Sequence, residues 1–343
     1  MVLERLLFRR LVPRDGDAVD LGPAREVLHD GARRTVAALL LLCAAAAARA
    51  APAAVEPCEL PPRYGLTELA VRIVRTACQE HRLWLQPFIE ADGRLAALAV
   101  TEAERAHLDD GSTQAWQRVA RYWRESGTLA AMADTPGASA CMAPYGQAAE
   151  NDCRAFVVDQ PWSAAFVSWV MLRAGVPGFA ASPRHLDYVA HAWRDPASPY
   201  LYADPWTTRP APGDLLCFLR GADAGRGADG LRQALAGQTP GAVRSHCEIV
   251  VAANPGGDRT LYLVGGNVLN AVTLRKLPLD PAGRLDAAAL GRTGTPPPAG
   301  EDVPPSAGME DAGAGPACSP GNPAACSFNR RDWAVLLQLR LDL

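Results

Sequence analysis

The stretch from Pro161 to Gly175, PWSAAFVSWVMLRAG, constrains this chain more than any other. Trp162, Phe166, Trp169 and Val170 recur at three- and four-residue steps, so one helical face can bury all four. Ala164, Ala165 and Ala174 let neighbouring backbone approach closely. Pro161 stands where a helix start tolerates a residue without an N–H. Gly175 supplies a left-handed stop, and Pro177 blocks continuation. The pattern predicts one amphipathic helix whose first turn holds Ser163. Free backbone N–H groups and the positive end of the helix dipole favour a nucleophile carrying negative charge there. A first-turn serine on a core helix is the plain alternative.

Residues 33–50, RRTVAALLLLCAAAAARA, place a basic pair before an apolar run that ends in Ala48-Arg49-Ala50. That order is the pattern of a secretory leader cut before Ala51. The run from Val36 to Ala48 is short for a spanning helix. The expectation is therefore an exported protein, periplasmic or secreted, with no stable membrane span after cleavage; a single anchor is the rival reading. Leu40-Leu41-Leu42 lacks the small residue expected beside a lipidated cysteine at Cys43. With 34 basic and 37 acidic residues and no basic block, nucleic acid is excluded as the expected partner.

Cysteine usage agrees with export. Of nine cysteines, Cys43 falls in the leader and an even number remain, which points to disulfides. Cys141 with Cys153 and Cys318 with Cys326 would close small loops. Cys58 with Cys78 and Cys217 with Cys247 would complete the set, although spacing alone does not fix connectivity. No CxxC pair occurs, so neither a four-cysteine zinc site nor a thioredoxin-type site is expected, and no metal or cofactor is assigned.

Along the mature chain, residues 64–84 predict a helix with Leu66, Leu69, Ala70, Ile73, Val74 and Ala77 on its apolar face. His81 is expected as a C-terminal cap. A short helix over 95–108 and a longer one over 112–129 follow. Residues 130–160 read as a looped connection carrying Cys141 and Cys153. Ser182 and Pro183 open a short helix with His185, Tyr188 and His191. From Pro212-Gly213 onward, strands are expected at 214–218, 245–251, 260–264, 272–275 and 333–341, with a short helix at 228–235. Helices first and an antiparallel meander after them give an α+β fold. The expected organisation is a leader at 1–50, a helical region at 51–150, and a core at 151–285 plus 328–343. A Gly/Pro-rich, poorly ordered insertion covers 286–327.

Three polar positions fall at suggestive points: Ser163 at a helix start, His246 at a strand start, and Asn267 after a strand and a Gly-Gly pair. A nucleophile, a base and an orienting group can meet if the sheet packs on the helix. Trp162, His185, Tyr188 and Glu248 are candidate groove residues. His185 and Tyr188 share a helical face, and Glu248 shares a strand face with His246. Cys153 and Cys247 read as disulfide members, and Asp214 as a turn and strand-start residue.

The order PWSAAFVSWVMLRAGVP, PGDLLCF, SHCEIVV and VGGNVLNAV resembles the papain-like CHAP and NlpC-type cell-wall amidase/peptidase superfamily. More closely, it resembles an uncharacterised family of exported bacterial domains within that group. The resemblance covers roughly residues 155–275. It implies a papain-like fold with the nucleophile at Ser163, the base at His246 and the orienter near Asn267, acting on peptidoglycan or cell-wall peptide. Ser163 stands where the catalytic members carry cysteine, and a serine hydroxyl depends wholly on its base. Two functions stay open: an exported Ser-His-Asn amidase, peptidase or esterase, and an inactive cell-wall-binding domain that retains the groove.

Overall fold

The structure is a computed structural model that describes residues 56–60, 65–237, 243–292, 319, 321 and 326–342. The leader, Cys318 and most of the 286–327 insertion lie outside the described residues. Helix α1 (Glu68–Leu83) opens at Thr67, whose hydroxyl accepts from the Ala70 N–H at 3.1 Å, and buries Leu69, Ala70, Ile73 and Ala77. Two short strands follow, β1 (Phe88–Ile89) and β2 (Leu95–Ala97), joined by a turn with Gly93 at φ 84°. The expected helix at 95–108 is therefore corrected. Its start pairs with β1, which is itself laid parallel to a later strand.

Helix α2 (Ala115–Glu125) buries Trp116, Val119 and Trp123 as its spacing predicts, and Gly127 ends it at φ 73°. The expected loop at 130–160 instead contains α3 (Ala138–Met142) and α4 (Gln147–Asp159). The Cys141–Cys153 disulfide clamps these two helices, and Phe156 and Val157 anchor α4 in the core. Helix α5 (Ser163–Ala174) is capped by Gly175 at φ 71°. Its environment differs from the amphipathic expectation: every residue from Ser163 to Met171 is buried, so it is a central helix enclosed on all sides. Helix α6 (His185–Arg194), strand β3 (Tyr200–Ala203), strand β4 (Leu215–Leu219) and helix α7 (Gly227–Ala236) come next. Strands β5 (Ser245–Ala253), β6 (Thr260–Val268), β7 (Ala271–Pro278) and β8 (Asp332–Leu339) complete the described elements.

The eight strands form one sheet in the order β2-β1-β7-β6-β5-β4-β8-β3, antiparallel at every junction except β1–β7. This is an α+β arrangement. Period-two alternation sorts the two faces. Leu215, Cys217, Ile249, Val264, Leu274 and Leu337 pack into the main core with α1, α2 and α5. Leu216, Phe218, Val250, Leu263, Leu277 and Trp333 face the other way into a second cluster, closed by Leu279, Leu285 and Leu290. The insertion expected to be poorly ordered therefore begins with packed chain, because Leu290 is buried.

The disulfides Cys58–Cys78, Cys141–Cys153 and Cys217–Cys247 are formed as expected. Helix α5 meets the sheet at β6 with no spare room: a Cβ on Gly266 would lie 2.5 Å from the Cβ of Phe166. Among the described residues no helix is long and apolar enough to cross a membrane.

Candidate active site

The site is built from the start of α5. Trp162, the residue before it, is fully buried and stacks on Trp84 at 5.6 Å and Tyr122 at 5.8 Å between ring centroids. Tyr122 is in turn fixed by donating to Glu80 Oε2 at 2.5 Å and accepting from Trp84 Nε1 at 2.9 Å. Trp162 is thus a buried anchor that sets where Ser163 begins its helix. The Phe166 N–H donates to the Trp162 carbonyl at 3.0 Å. The N–H groups of Ser163, Ala164 and Ala165 precede it and have no acceptor one turn back within the helix.

The imidazole at hydrogen-bond distance from Ser163 is that of His185, with Nε2 2.7 Å from the serine Oγ. His185 is the first residue of α6, and its Nδ1 contacts the hydroxyl of Tyr188 three residues on, on the same helical face. Burial first, then the nearby positive ends of His246 and Arg220, hold the His185 imidazole well below its ordinary value of 6.5. A neutral ring carries one N–H. With that proton on Nδ1 and donated to Tyr188, Nε2 is left to accept the serine proton.

His246 lies behind His185, with ring centroids 5.0 Å apart, and its Nε2 is 3.5 Å from Glu248 Oε1. The two share a strand face, as their spacing predicts, and Cys247 between them points the other way into its disulfide. Glu248 is wholly buried and paired with Arg275, whose Nε reaches both carboxylate oxygens at 3.0 and 2.9 Å. Burial opposes the Glu248 charge, but Arg275, helped by His246, outweighs it and holds the carboxyl at about 2. Arg275 also donates to the Phe328 carbonyl, and to Asn329 Oδ1 at 3.2 Å. Sequence reasoning missed Arg275. Its signal was a single arginine inside the apolar strand AVTLRKLP, where a charge must find a partner.

Asn267 adopts φ 57° at an irregularity in the β6–β7 pairing. Among the described residues its side chain makes no hydrogen bond to Ser163 or His185. Asp214 is the turn and strand-start residue expected: its carboxylate accepts from Ala211 N and Leu339 N, each at 2.8 Å.

Beside the cluster lies a cleft of about 700 Å³. Its walls include Gln160 and Pro161, just ahead of Ser163, and Ser182, Pro183 and Arg184, just ahead of His185. Ser163 is 3% exposed and His185 4%, so both sit behind that wall. The Ser168 hydroxyl pins the wall by donating to the Ser182 carbonyl at 3.0 Å and accepting from the Ser182 N–H at 3.1 Å.

Residues 110–339 match the family model described as an uncharacterized protein conserved in bacteria (DUF2272). The chain belongs to the DUF2272 family. The DUF2272 match covers about two thirds of the chain and contains Ser163, His185, His246, Asn267 and Arg275, while α1, β1 and β2 precede it. Comparison with curated proteins and with solved structures finds no match to either.

Proposed function

We propose that this DUF2272 domain is an exported hydrolase of papain-like layout in which Ser163 is the nucleophile and His185 its general base. The observation that carries the reading is the 2.7 Å contact between Ser163 Oγ and His185 Nε2 at the mouth of α5. In the reaction, Ser163 Oγ attacks an amide or ester carbonyl as Nε2 takes its proton. The negative oxygen that develops is received by the N–H groups of the first turn of α5. His185 then returns the proton to the leaving group, and water, activated by the same nitrogen, cleaves the acyl-serine.

The superfamily resemblance supports a cell-wall peptide as substrate and assigns the base to His246. The geometry favours His185 in that role, with Tyr188 rather than Asn267 as the orienting group and His246 behind it. Disulfides and the leader-like segment 33–50 fit an exported protein.

A second reading, binding of cell-wall peptide without turnover, is favoured by the 3% exposure of Ser163. The deciding experiment treats the protein with a serine-directed fluorophosphonate, maps the adduct by mass spectrometry, and assays peptidoglycan fragments and simple esters. Labelling at Ser163, absent in Ser163→Ala, and a loss of about 100-fold or more in His185→Ala are expected for general-base catalysis. Circular dichroism verifies that the variants are folded. Turnover unchanged in both variants overturns the assignment. Stem-peptide affinity with neither labelling nor turnover establishes the second reading instead.

A further inference from the structure

The segment before α1 and the end of that helix bring together a group of side chains that the hydrolase reading does not use. Ligand atoms of Glu56, Cys58 and His81 all lie within 4.8 Å of one another. His81, expected as a C-terminal cap rather than a ligand, is 2% exposed. Its Nε2 is 2.9 Å from the Pro87 carbonyl, which can only accept, so Nε2 carries the proton. Nδ1 is therefore a bare lone pair, buried and without a hydrogen-bond partner among the described residues. A histidine whose outer nitrogen donates to a carbonyl while the inner one waits unpaired is the usual arrangement of a metal-binding imidazole.

We propose that Glu56, Cys58 and His81 form a site for a zinc-like divalent ion, closed while Cys58 is tied to Cys78 and opened when that disulfide is reduced. In the disulfide the Cys58 sulfur is no thiolate, and nitrogen plus carboxylate alone make a weak site. Reduction adds the soft donor that, with imidazole and carboxylate, selects zinc. A dithiol reductant gives two electrons and two protons to the Cys58–Cys78 bond and becomes a disulfide itself. Cys58 and Cys78 become thiols, and the ion displaces the Cys58 proton to solvent. Cys78 stands three residues before His81 on α1, so the sulfur it frees, or a water, is available for the fourth position.

Cys78→Ser tests the idea without a reductant, since it leaves Cys58 as a free thiol and the other disulfides intact. Cobalt(II) serves as the spectroscopic probe. One equivalent is expected to bind Cys78→Ser with thiolate-to-cobalt charge transfer and the visible bands of tetrahedral coordination. The signal is lost in Cys58→Ser/Cys78→Ser and weakened at least tenfold by adding Glu56→Gln or His81→Asn. Oxidised wild type shows no such signal and gains it on treatment with a dithiol. Failure of folded Cys78→Ser to bind, or equal binding after removal of Cys58, overturns the proposal. If Cys78→Ser does not fold, dithiol-reduced wild type is alkylated with and without zinc(II). Protection of Cys58, alone or together with Cys78, supports the site, and alkylation of Cys58 as complete as that of the other cysteines overturns it.

Discussion

Arg275→Met removes the cation that lets Glu248 remain charged beneath His246. Both residues are fully buried, and three N···O contacts of 2.9 to 3.0 Å join them. The size of the effect follows from the carboxyl itself. Lowering its pKa from 4.5 to about 2 corresponds, at about 1.4 kcal/mol per pH unit, to about 3–4 kcal/mol in favour of the charged form. Breaking a buried pair by deleting one partner costs about 3–5 kcal/mol, which agrees. Against a total stability of about 5–15 kcal/mol that is a large fraction. Urea unfolding at neutral pH, followed by tryptophan fluorescence with disulfides intact, should show a midpoint lower by about 1 M or more.

The pH dependence gives the signature. With Arg275 present, the folded pKa of Glu248 is depressed, so this stability is complete above 4.5 and lost as pH falls toward about 2. In Arg275→Met the stranded carboxyl is raised by burial, the folded state binds the extra proton, and acidification restores stability. Glu248→Met/Arg275→Met should recover most of the loss, because no lone charge is left inside. A folded Arg275→Met that loses less than about 1 kcal/mol, or a double variant worse than the single, refutes the reasoning.

Two further outcomes follow from packing and protonation. Gly266→Ala places a methyl 2.5 Å from the Cβ and Cγ of Phe166, where backbone and ring are both held, and should cost about 1–3 kcal/mol by overpacking; an unchanged urea midpoint would contradict it. His185 must be neutral to act as base, and its pKa is pushed down by burial and by His246 and Arg220. The acid limb of ester hydrolysis by the wild type should therefore fall below 6.5, and native stability should decline as pH drops through 6.5, since the unfolded chain takes a proton that the folded site refuses. An acid limb at or above 6.5 would remove His185 from the role.

What was legible in the chain was local. The length of α5 is written in its apolar spacing and in Gly175, and β4 to β8 are apolar runs of five to nine residues, bounded by turn residues and long enough to read as strands. Cys141–Cys153 falls where a short loop suggests, and Cys58–Cys78 and Cys217–Cys247 are the pairs that complete an even set in an exported chain. Strands β1 and β2, with two and three residues, are too short to carry a period, and their pairing is decided by β7 far away in sequence. Helices α3 and α4 each begin directly after a positive-φ glycine, Gly137 and Gly146, that looks like loop, and the Cys141–Cys153 bridge ties them together. The meeting of Ser163 with His185 has no periodic signature at all. It needs the reversal after Gly175 and the Ser168–Ser182 bonds to bring α6 back to the start of α5.

On the proposed assignment, the electrostatics of the cluster bear on how a serine rather than a thiol can serve as the nucleophile. A thiolate–imidazolium pair needs a ring that is readily charged, whereas a serine needs a ring that is neutral at rest and gains its charge only in the transition state. His185 is held in the second condition, since burial and two positive neighbours disfavour its resting imidazolium. Glu248, the buried anion beside His246, is committed to Arg275, and His246 in turn lies against His185. That arrangement lets the field of the carboxylate respond to charge on His185 without fixing a proton there beforehand. A directly bonded aspartate on Nδ1 would hold the ring more firmly, but it would also raise its resting pKa. Tyr188 in that place keeps the orientation without adding a charge that would raise the pKa of the proposed base.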